Sequence, residues 1–190
     1  MSSRQTSKLG VRQMTVIALV AVLMLIAKLV LRMPIKVSGH GGVLWIAALI
    51  IGRAAVRYPA AGTLMGLLGG TLVAIFAPGD TAAFFTVAKY VLPGIIVDIL
   101  APLFGERFDR ILPAVLTGAL AHAAKVGVDV AEGIAAGLTG TALMAGMTVS
   151  LLLHIGFGAL GGLIAALVLR VLVRARVPQL AHIPDSGDSR

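Results

Sequence analysis

The chain has 190 residues, of which 58% are hydrophobic and 13% are charged, and its formal net charge is +8. Charged residues approach a quarter of an ordinary soluble domain, so this composition excludes one and indicates a membrane protein. The positive charge does not indicate a nucleic-acid partner, because the Lys and Arg residues fall at the ends of apolar segments, where they meet lipid head groups.

Hydropathy along the chain predicts an all-α fold, a bundle of about six transmembrane helices. Each crossing needs about 20 apolar residues, so the length leaves room for six helices with short loops. We expect a cytoplasmic leader over residues 1–10, the membrane domain over 11–173 and a polar, disordered cytoplasmic tail over 174–190. The six predicted spans cover residues 11–33, 42–56, 59–77, 82–104, 111–130 and 141–173.

Prolines and glycines mark positions within these spans. Pro59 suits the first turn of the third span, where a missing N–H costs nothing. Residues 78–80 (PGD) predict the turn that follows. Pro93 interrupts the fourth span and displaces the carbonyl of Lys89, which indicates a cavity beside that lysine. Two glycine stripes predict close helix packing or, alternatively, docking of a partner subunit. They are Gly62, Gly66 and Gly70 in the third span, and Gly158 and Gly162 in the sixth.

The distribution of basic residues predicts that both termini are cytoplasmic. With six spans in that orientation, 11 of the 16 Lys and Arg residues lie on the cytoplasmic side, as the positive-inside rule requires. They are Arg4, Lys8, Arg12, Arg53, Arg57, Arg107, Arg110, Arg170, Arg174, Arg176 and Arg190. We therefore expect a multi-pass protein of the cell (inner or plasma) membrane.

Four ionisable side chains inside the spans form one predicted layer in the outer half of the bilayer. They are Lys89, His122, Lys125 and His154. Ionisable groups at that depth face a bundle interior or a water-filled cavity, so these four are candidate substrate-binding residues. Asp129 joins them, because His122, Lys125 and Asp129 lie on one face of the fifth helix.

The chemistry of this layer favours a small anionic or zwitterionic ligand. Two lysines and two histidines suit a carboxylate or phosphate, while Asp129 and Glu132 either balance the charge or accept a cationic group. Structural roles stay open: Lys125 could pair with Asp129, Lys89 could snorkel to the surface, and each histidine could clamp helices. Asp98 is expected to pair with Arg107 or Arg110 near the inner interface.

The first outer loop, residues 36–42, is polar and rich in glycine, which would allow it to fold over a pocket. Trp45, which follows the loop, is expected to be an interfacial anchor rather than a platform for the ligand.

Sequence motifs of several chemistries are absent. The chain has no cysteine and carries no HExxH, GxSxG, Walker A or EF-hand pattern. Ser150, His154 and Asp129 could be combined as a triad, but no local pattern supports it. We therefore predict a protein that is not an enzyme and has no cofactor. Transport by this chain would be passive, coupled to an ion, or energised by a partner.

Four stretches resemble the substrate-binding S components of energy-coupling-factor (ECF) vitamin transporters. They are residues 44–52 (LWIAALIIG), 62–70 (GTLMGLLGG), 89–100 (KYVLPGIIVDIL) and 154–162 (HIGFGALGG). The resemblance implies six helices, an outer pocket roofed by the first outer loop, a transmembrane coupling subunit and two cytoplasmic ATPases. It also implies that the subunit topples in the membrane to release its ligand inward. Carried over, it makes Ser38, His40, Lys89, His122, Lys125 and His154 pocket candidates.

The first helix departs from the pattern of that family. Members that share a coupling module often carry Ala-x-x-x-Ala there, whereas Ala18, Ala21 and Ala27 have a different spacing. A dedicated module or another docking surface is therefore an alternative.

Other functions stay open beside a subunit that captures a vitamin or metabolite. One is a Co or Ni permease subunit that uses His40, His122 and His154 with Asp129 or Glu132, although adjacent lysines would repel a cation. Others are a non-transporting membrane scaffold and an intramembrane enzyme. Replacement of Lys125 by alanine would separate them, because only an anionic ligand needs that ammonium group.

Overall fold

The computed structural model describes residues 9–30, 40–78, 82–138, 140–177 and 180. Six α-helices run through these residues, which contain no strand, so the expected all-α fold is confirmed for this part of the chain. The predicted leader (1–10) and tail (174–190) lie largely outside it. The helices are α1 (Val11–Val30), α2 (Gly42–Ala55), α3 (Ala61–Phe76), α4 (Ala83–Leu103), α5 (Ile111–Ala135) and α6 (Gly140–Arg174).

Four helices are long and apolar enough to cross a membrane: α1, α4, α5 and the segment Gly146–Arg174 of α6. They indicate a multi-pass membrane protein. Helices α2 and α3 have 14 and 16 residues, so they reach only about 21 and 24 Å in a hydrocarbon core of about 30 Å. Large apolar side chains stay exposed on the long helices, as lipid contact requires, for example Leu19 on α1 and Leu112 on α5.

Most predicted helix ends agree with the structure within a few residues, but two predictions need correction. The third helix begins at Ala61, so the prediction that Pro59 occupies its first turn is wrong, and Pro59 lies in the preceding turn. The fifth helix continues to Ala135 rather than ending at residue 130. Helix α4 passes through Pro93 without ending there. Of the predicted turn 78–80, two residues lie outside the described part of the chain.

The glycine stripe of α3 packs directly on α4. A Cβ built on Gly62 would meet the backbone oxygen of Gly94, and one built on Gly66 would overlap the backbone of Tyr90. Only glycine allows the two backbones to approach so closely. The predicted role in helix packing is confirmed, and this stripe is covered by the chain itself.

The second stripe joins α6 to α5 in the same way. A Cβ on Gly158 would overlap the backbone oxygen of Gly118, and one on Gly162 would overlap that of Ala114. The two glycine contacts fix α5 against α6 and α3 against α4, which positions the polar side chains described below.

Helix α2 is the most enclosed element, because ten of its 14 residues are buried and it contacts all five other helices. Trp45 is 3% exposed and packs against Tyr90, with ring centroids 4.9 Å apart. The prediction that Trp45 is an interfacial anchor is therefore wrong, because the helix that carries it lies in the centre of the bundle rather than at its surface.

Candidate functional site

Seven polar side chains of α4, α5 and α6 converge at one end of the bundle. We call them the histidine–lysine cluster: Lys89, His122, Lys125, Asp129, Glu132, Ser150 and His154. Five predicted site residues thus meet in the structure. Their role in ligand binding stays a prediction.

Both lysines of the cluster are bound to carboxylates. The Nζ atom of Lys89 lies 2.9 Å from Asp129 Oδ1 and also donates to Glu132, so it links α4 to α5. Lys125 donates to Asp129 Oδ2 at 2.9 Å, one turn along its own helix. The side chains are 15–29% exposed, so they are not sealed inside the bundle.

These ion pairs decide two of the open alternatives. The Lys125–Asp129 pair is confirmed, and Lys89 turns towards the acids of α5 instead of snorkelling to the surface. Two lysines and two carboxylates give these four groups a net charge of zero. An anion would therefore have to displace Asp129 or Glu132 from a lysine, and these two acids balance the charge.

His154 extends the network onto α6. Its Nδ1–H donates to the carbonyl oxygen of Ser150 at 2.7 Å, because a carbonyl only accepts. This tautomer leaves Nε2 as an acceptor, which faces Lys125 Nζ at 3.5 Å. The Ser150 hydroxyl oxygen lies 3.3 Å from Nδ1, a contact within one turn of α6. Because the described contacts of the Asp129 carboxylate are with the lysines, Ser150, His154 and Asp129 are not arranged as a triad.

His122 packs as a clamp between helices. It is 1% exposed, its Nδ1 donates to the carbonyl oxygen of His154 at 3.1 Å, and the two imidazole centroids are 4.5 Å apart. The edge of Trp45 meets the His122 ring at a centroid distance of 5.6 Å, and a Cβ on Gly42 would overlap that ring. His122 therefore joins α2, α5 and α6, and its enclosed ring packs against His154 of the cluster.

A cleft of about 270 Å³ opens between α5 and α6 beside the cluster. Asp129 and Ser150 are its polar groups, and the rest of its wall is apolar. The lining residues are Val126, Asp129, Val130, Leu138, Gly146, Met147 and Ser150. Asp129 thus belongs both to the cleft and to the ion-pair network, so a ligand in the cleft would contact the network through it.

Of the two predicted loop residues, only His40 is described, and it does not line this cleft. Ser38 lies outside the described residues, and His40 is in the turn that leads into α2. Within the described part of the chain, no three His, Asp or Glu side chains are grouped as a metal-ion site. The Lys125 ammonium beside His154 would in addition repel a cation, so the geometry gives the metal alternative no support.

A second charged group, which the sequence did not predict as a unit, lies nine residues further along α4. We call it the arginine cluster: Arg53, Thr63, Asp98 and Glu106. Arg53 is 3% exposed, with Nε donating to Asp98 at 2.9 Å and both Nη atoms donating to Glu106 at 2.8 and 2.9 Å.

The expected pairing of Asp98 with Arg107 or Arg110 is wrong. Arg107 pairs with Asp109 at 3.4 Å instead, and Arg53 reaches Asp98 because α2 packs against α4 at this level. Arg53 is a charged residue inside the short apolar helix α2, which could have indicated a buried ion pair. The sequence analysis instead counted it among the basic residues of the cytoplasmic side.

Asp98 also caps the beginning of α3. Its carboxylate accepts the backbone N–H groups of Gly62 at 2.9 Å and Thr63 at 2.7 Å, and the Thr63 hydroxyl at 2.8 Å. Residue Ala60 at the N-cap makes no side-chain capping bond of its own, so a neighbouring helix satisfies these donors. A second cleft, of about 260 Å³, borders the arginine cluster and includes Arg57 and Tyr58 in its wall.

Comparison of the chain with protein-family models, curated proteins and solved structures found no match.

Proposed function

We propose that this chain is the substrate-binding membrane subunit of a transporter, which captures a small anionic or zwitterionic solute in the α5–α6 cleft. The observation that carries the proposal is the position of Asp129 and Ser150. Both line a cleft with apolar walls, and both touch a partly exposed network of charged groups. A membrane-embedded pocket with a few polar groups in apolar walls is the usual form of a small-molecule site.

The proposed topology has six spans with both termini in the cytoplasm, so that the cleft faces the outer side. The basic residues favour this orientation, because most of them then lie on the cytoplasmic side. Helices α2 and α3 are short, but α2 lies among the other five helices, where protein rather than lipid surrounds it.

The energy for uptake comes, in this proposal, from an ECF-type module of one transmembrane coupling subunit and cytoplasmic ATPases. The support is the resemblance of four stretches of sequence to S components, together with the absence of an ATP-binding motif in this chain. A scaffold function would need neither the cleft nor the charged groups that line it.

Gly146 provides a direct test of the cleft. It lines the cleft, and a Cβ built on it meets nothing within 4 Å, so Gly146→Leu fills the cleft without displacing protein atoms near the backbone. Gly156 lies on the same helix, is equally free of neighbours and does not line the cleft. Gly156→Leu is therefore a matched control for the effect of the substitution on α6.

The measurement is native mass spectrometry of each variant, extracted gently from its own membrane. We expect a small organic mass on the unaltered chain and on Gly156→Leu, its loss from Gly146→Leu, and ATPase and coupling subunits in the same complexes. A retained metal ion, or a chain bound only to other membrane proteins without a solute, would contradict the proposal.

A further inference from the structure

The charges of the histidine–lysine cluster indicate which class of solute the cleft accepts. Lys89, Lys125, Asp129 and Glu132 already neutralise one another. An added ligand with a net charge would leave that charge uncompensated in a partly buried site, where an unpaired charge is costly. A ligand of zero net charge avoids this penalty.

The Lys125–Asp129 ion pair reaches the cleft through Asp129, which lines it. Lys125 and Asp129 are one turn apart on α5, and both are about a quarter exposed. Pairs of this kind within one helix contribute little to stability, so little free energy is needed to open this one. When Asp129 turns towards the cleft, its 2.9 Å contact with Lys89 also breaks, but Lys89 can stay on Glu132, which keeps α4 linked to α5.

This inference rests on the proposed function. We propose that the captured solute is a small zwitterion whose uncharged part is apolar, such as an α-amino acid with an aliphatic side chain. It inserts into the Lys125–Asp129 pair. Its carboxylate binds the Lys125 ammonium, and its own ammonium binds the Asp129 carboxylate. The four charges then alternate in sign, and the site stays neutral.

The cleft suits the remainder of such a molecule. The volume of about 270 Å³ corresponds to about nine water molecules in the liquid, which is the scale of a small metabolite. Val126, Val130 and Met147 provide apolar walls for an aliphatic side chain, and the Ser150 hydroxyl is a further polar group at the wall.

Three probes with a six-carbon chain separate the ligand classes. At neutral pH, 2-aminohexanoate carries both charges, hexanoate only the negative charge and hexylamine only the positive charge. Binding to the full chain in lipid nanodiscs is measured by calorimetry at neutral pH, with empty nanodiscs subtracted. We expect 2-aminohexanoate to bind at least about tenfold more tightly than either singly charged probe.

Two substitutions should switch this preference in opposite directions. Asp129→Asn removes the partner of the ligand ammonium, so hexanoate becomes the preferred probe. Lys125→Gln removes the partner of the ligand carboxylate, so hexylamine becomes preferred. Gly146→Leu should abolish binding of all three probes, and Gly156→Leu should leave it unchanged. Thermal unfolding of each variant verifies that it is folded.

The outcomes that overturn the inference differ from those that overturn the proposed function. Preference of the unaltered chain for hexanoate or hexylamine, or absence of the crossed switch, overturns the zwitterion but leaves solute capture standing. The same holds if no probe binds while native mass spectrometry detects a solute that Gly146→Leu loses. If no probe binds and no solute is retained, both proposals fail.

Discussion

The two charged clusters of this bundle contain the same kinds of groups but differ in how these groups are bonded. In the arginine cluster, Arg53 is nearly inaccessible and spans two carboxylates with three donor atoms. In the histidine–lysine cluster, each lysine donates from its single Nζ atom, which in Lys89 contacts two carboxylates, and the side chains of all three ion pairs stay 15–29% exposed.

Cavity volume does not distinguish the clusters, because each borders a cleft of similar size. Exposure and bonding geometry do. A buried guanidinium that binds two carboxylates holds helices together and does not exchange partners easily. A partly exposed ammonium group can exchange its carboxylate for another partner. This contrast supports a structural role for the arginine cluster, and it agrees with the ligand-binding role that we propose for the histidine–lysine cluster.

The largest effect expected from this comparison is on Arg53. We predict that Arg53→Met lowers the free energy of unfolding by about 3–5 kcal/mol, because it leaves the Asp98 carboxylate, which is only 9% exposed, without its partner; Glu106 is 36% exposed and contributes little. Equilibrium unfolding in mixed detergent micelles measures it. The control is Arg57→Met, which removes an exposed arginine of the same cleft. Equal effects of the two substitutions would contradict the structural role.

A smaller effect is expected from Asp98→Asn. The amide keeps one acceptor oxygen but loses the charge that binds the first turn of α3 and Arg53, so we expect a loss of about 2 kcal/mol. Thr63→Val removes only the hydroxyl donor and should cost about 1 kcal/mol. Hydrogen exchange gives a local measurement. Unchanged protection of the Gly62 and Thr63 amides in Asp98→Asn would show that the carboxylate is not the cap.

The smallest effect on stability is expected in the histidine–lysine cluster. Lys125→Ala should change the free energy of unfolding by less than about 1 kcal/mol, because its ion pair is partly exposed and lies within one helix. The same substitution should remove the retained solute in native mass spectrometry. A loss of stability as large as that of Arg53→Met would place both clusters in the structural class.

Much of the fold could be predicted from local patterns. Apolar length located the helices, and four-residue glycine spacing identified both packing stripes. The prediction that Lys89, Lys125 and His154 lie at one level was also possible, because the depth of a residue in a helix depends only on the rise per residue.

Features that depend on tertiary docking could not be predicted. Arg53 finds Glu106 in a turn after α4, where Glu106 itself has a positive φ of 60°, and no local pattern specifies that approach. The start of α3 was misplaced for a related reason, since its cap comes from Asp98 on another helix. The charge balance of the cluster was likewise open until the partners of both lysines were known.

The long sequence separation within the arginine cluster has a consequence for biosynthesis. Arg53 leaves the ribosome 45 residues before Asp98 and 53 residues before Glu106. Until both acids emerge, the guanidinium in the last turn of α2 has no carboxylate partner, and an unpaired charge is costly in lipid. We therefore predict that α2 waits at the translocon and enters the membrane together with α4. Ala47→Cys gives this cysteine-free chain a single reporter thiol. This thiol should react with a water-soluble reagent in nascent chains that are arrested before Asp98 emerges. It should be protected in nascent chains that are arrested after Glu106 has emerged. Protection in both arrested chains would show that α2 enters on its own.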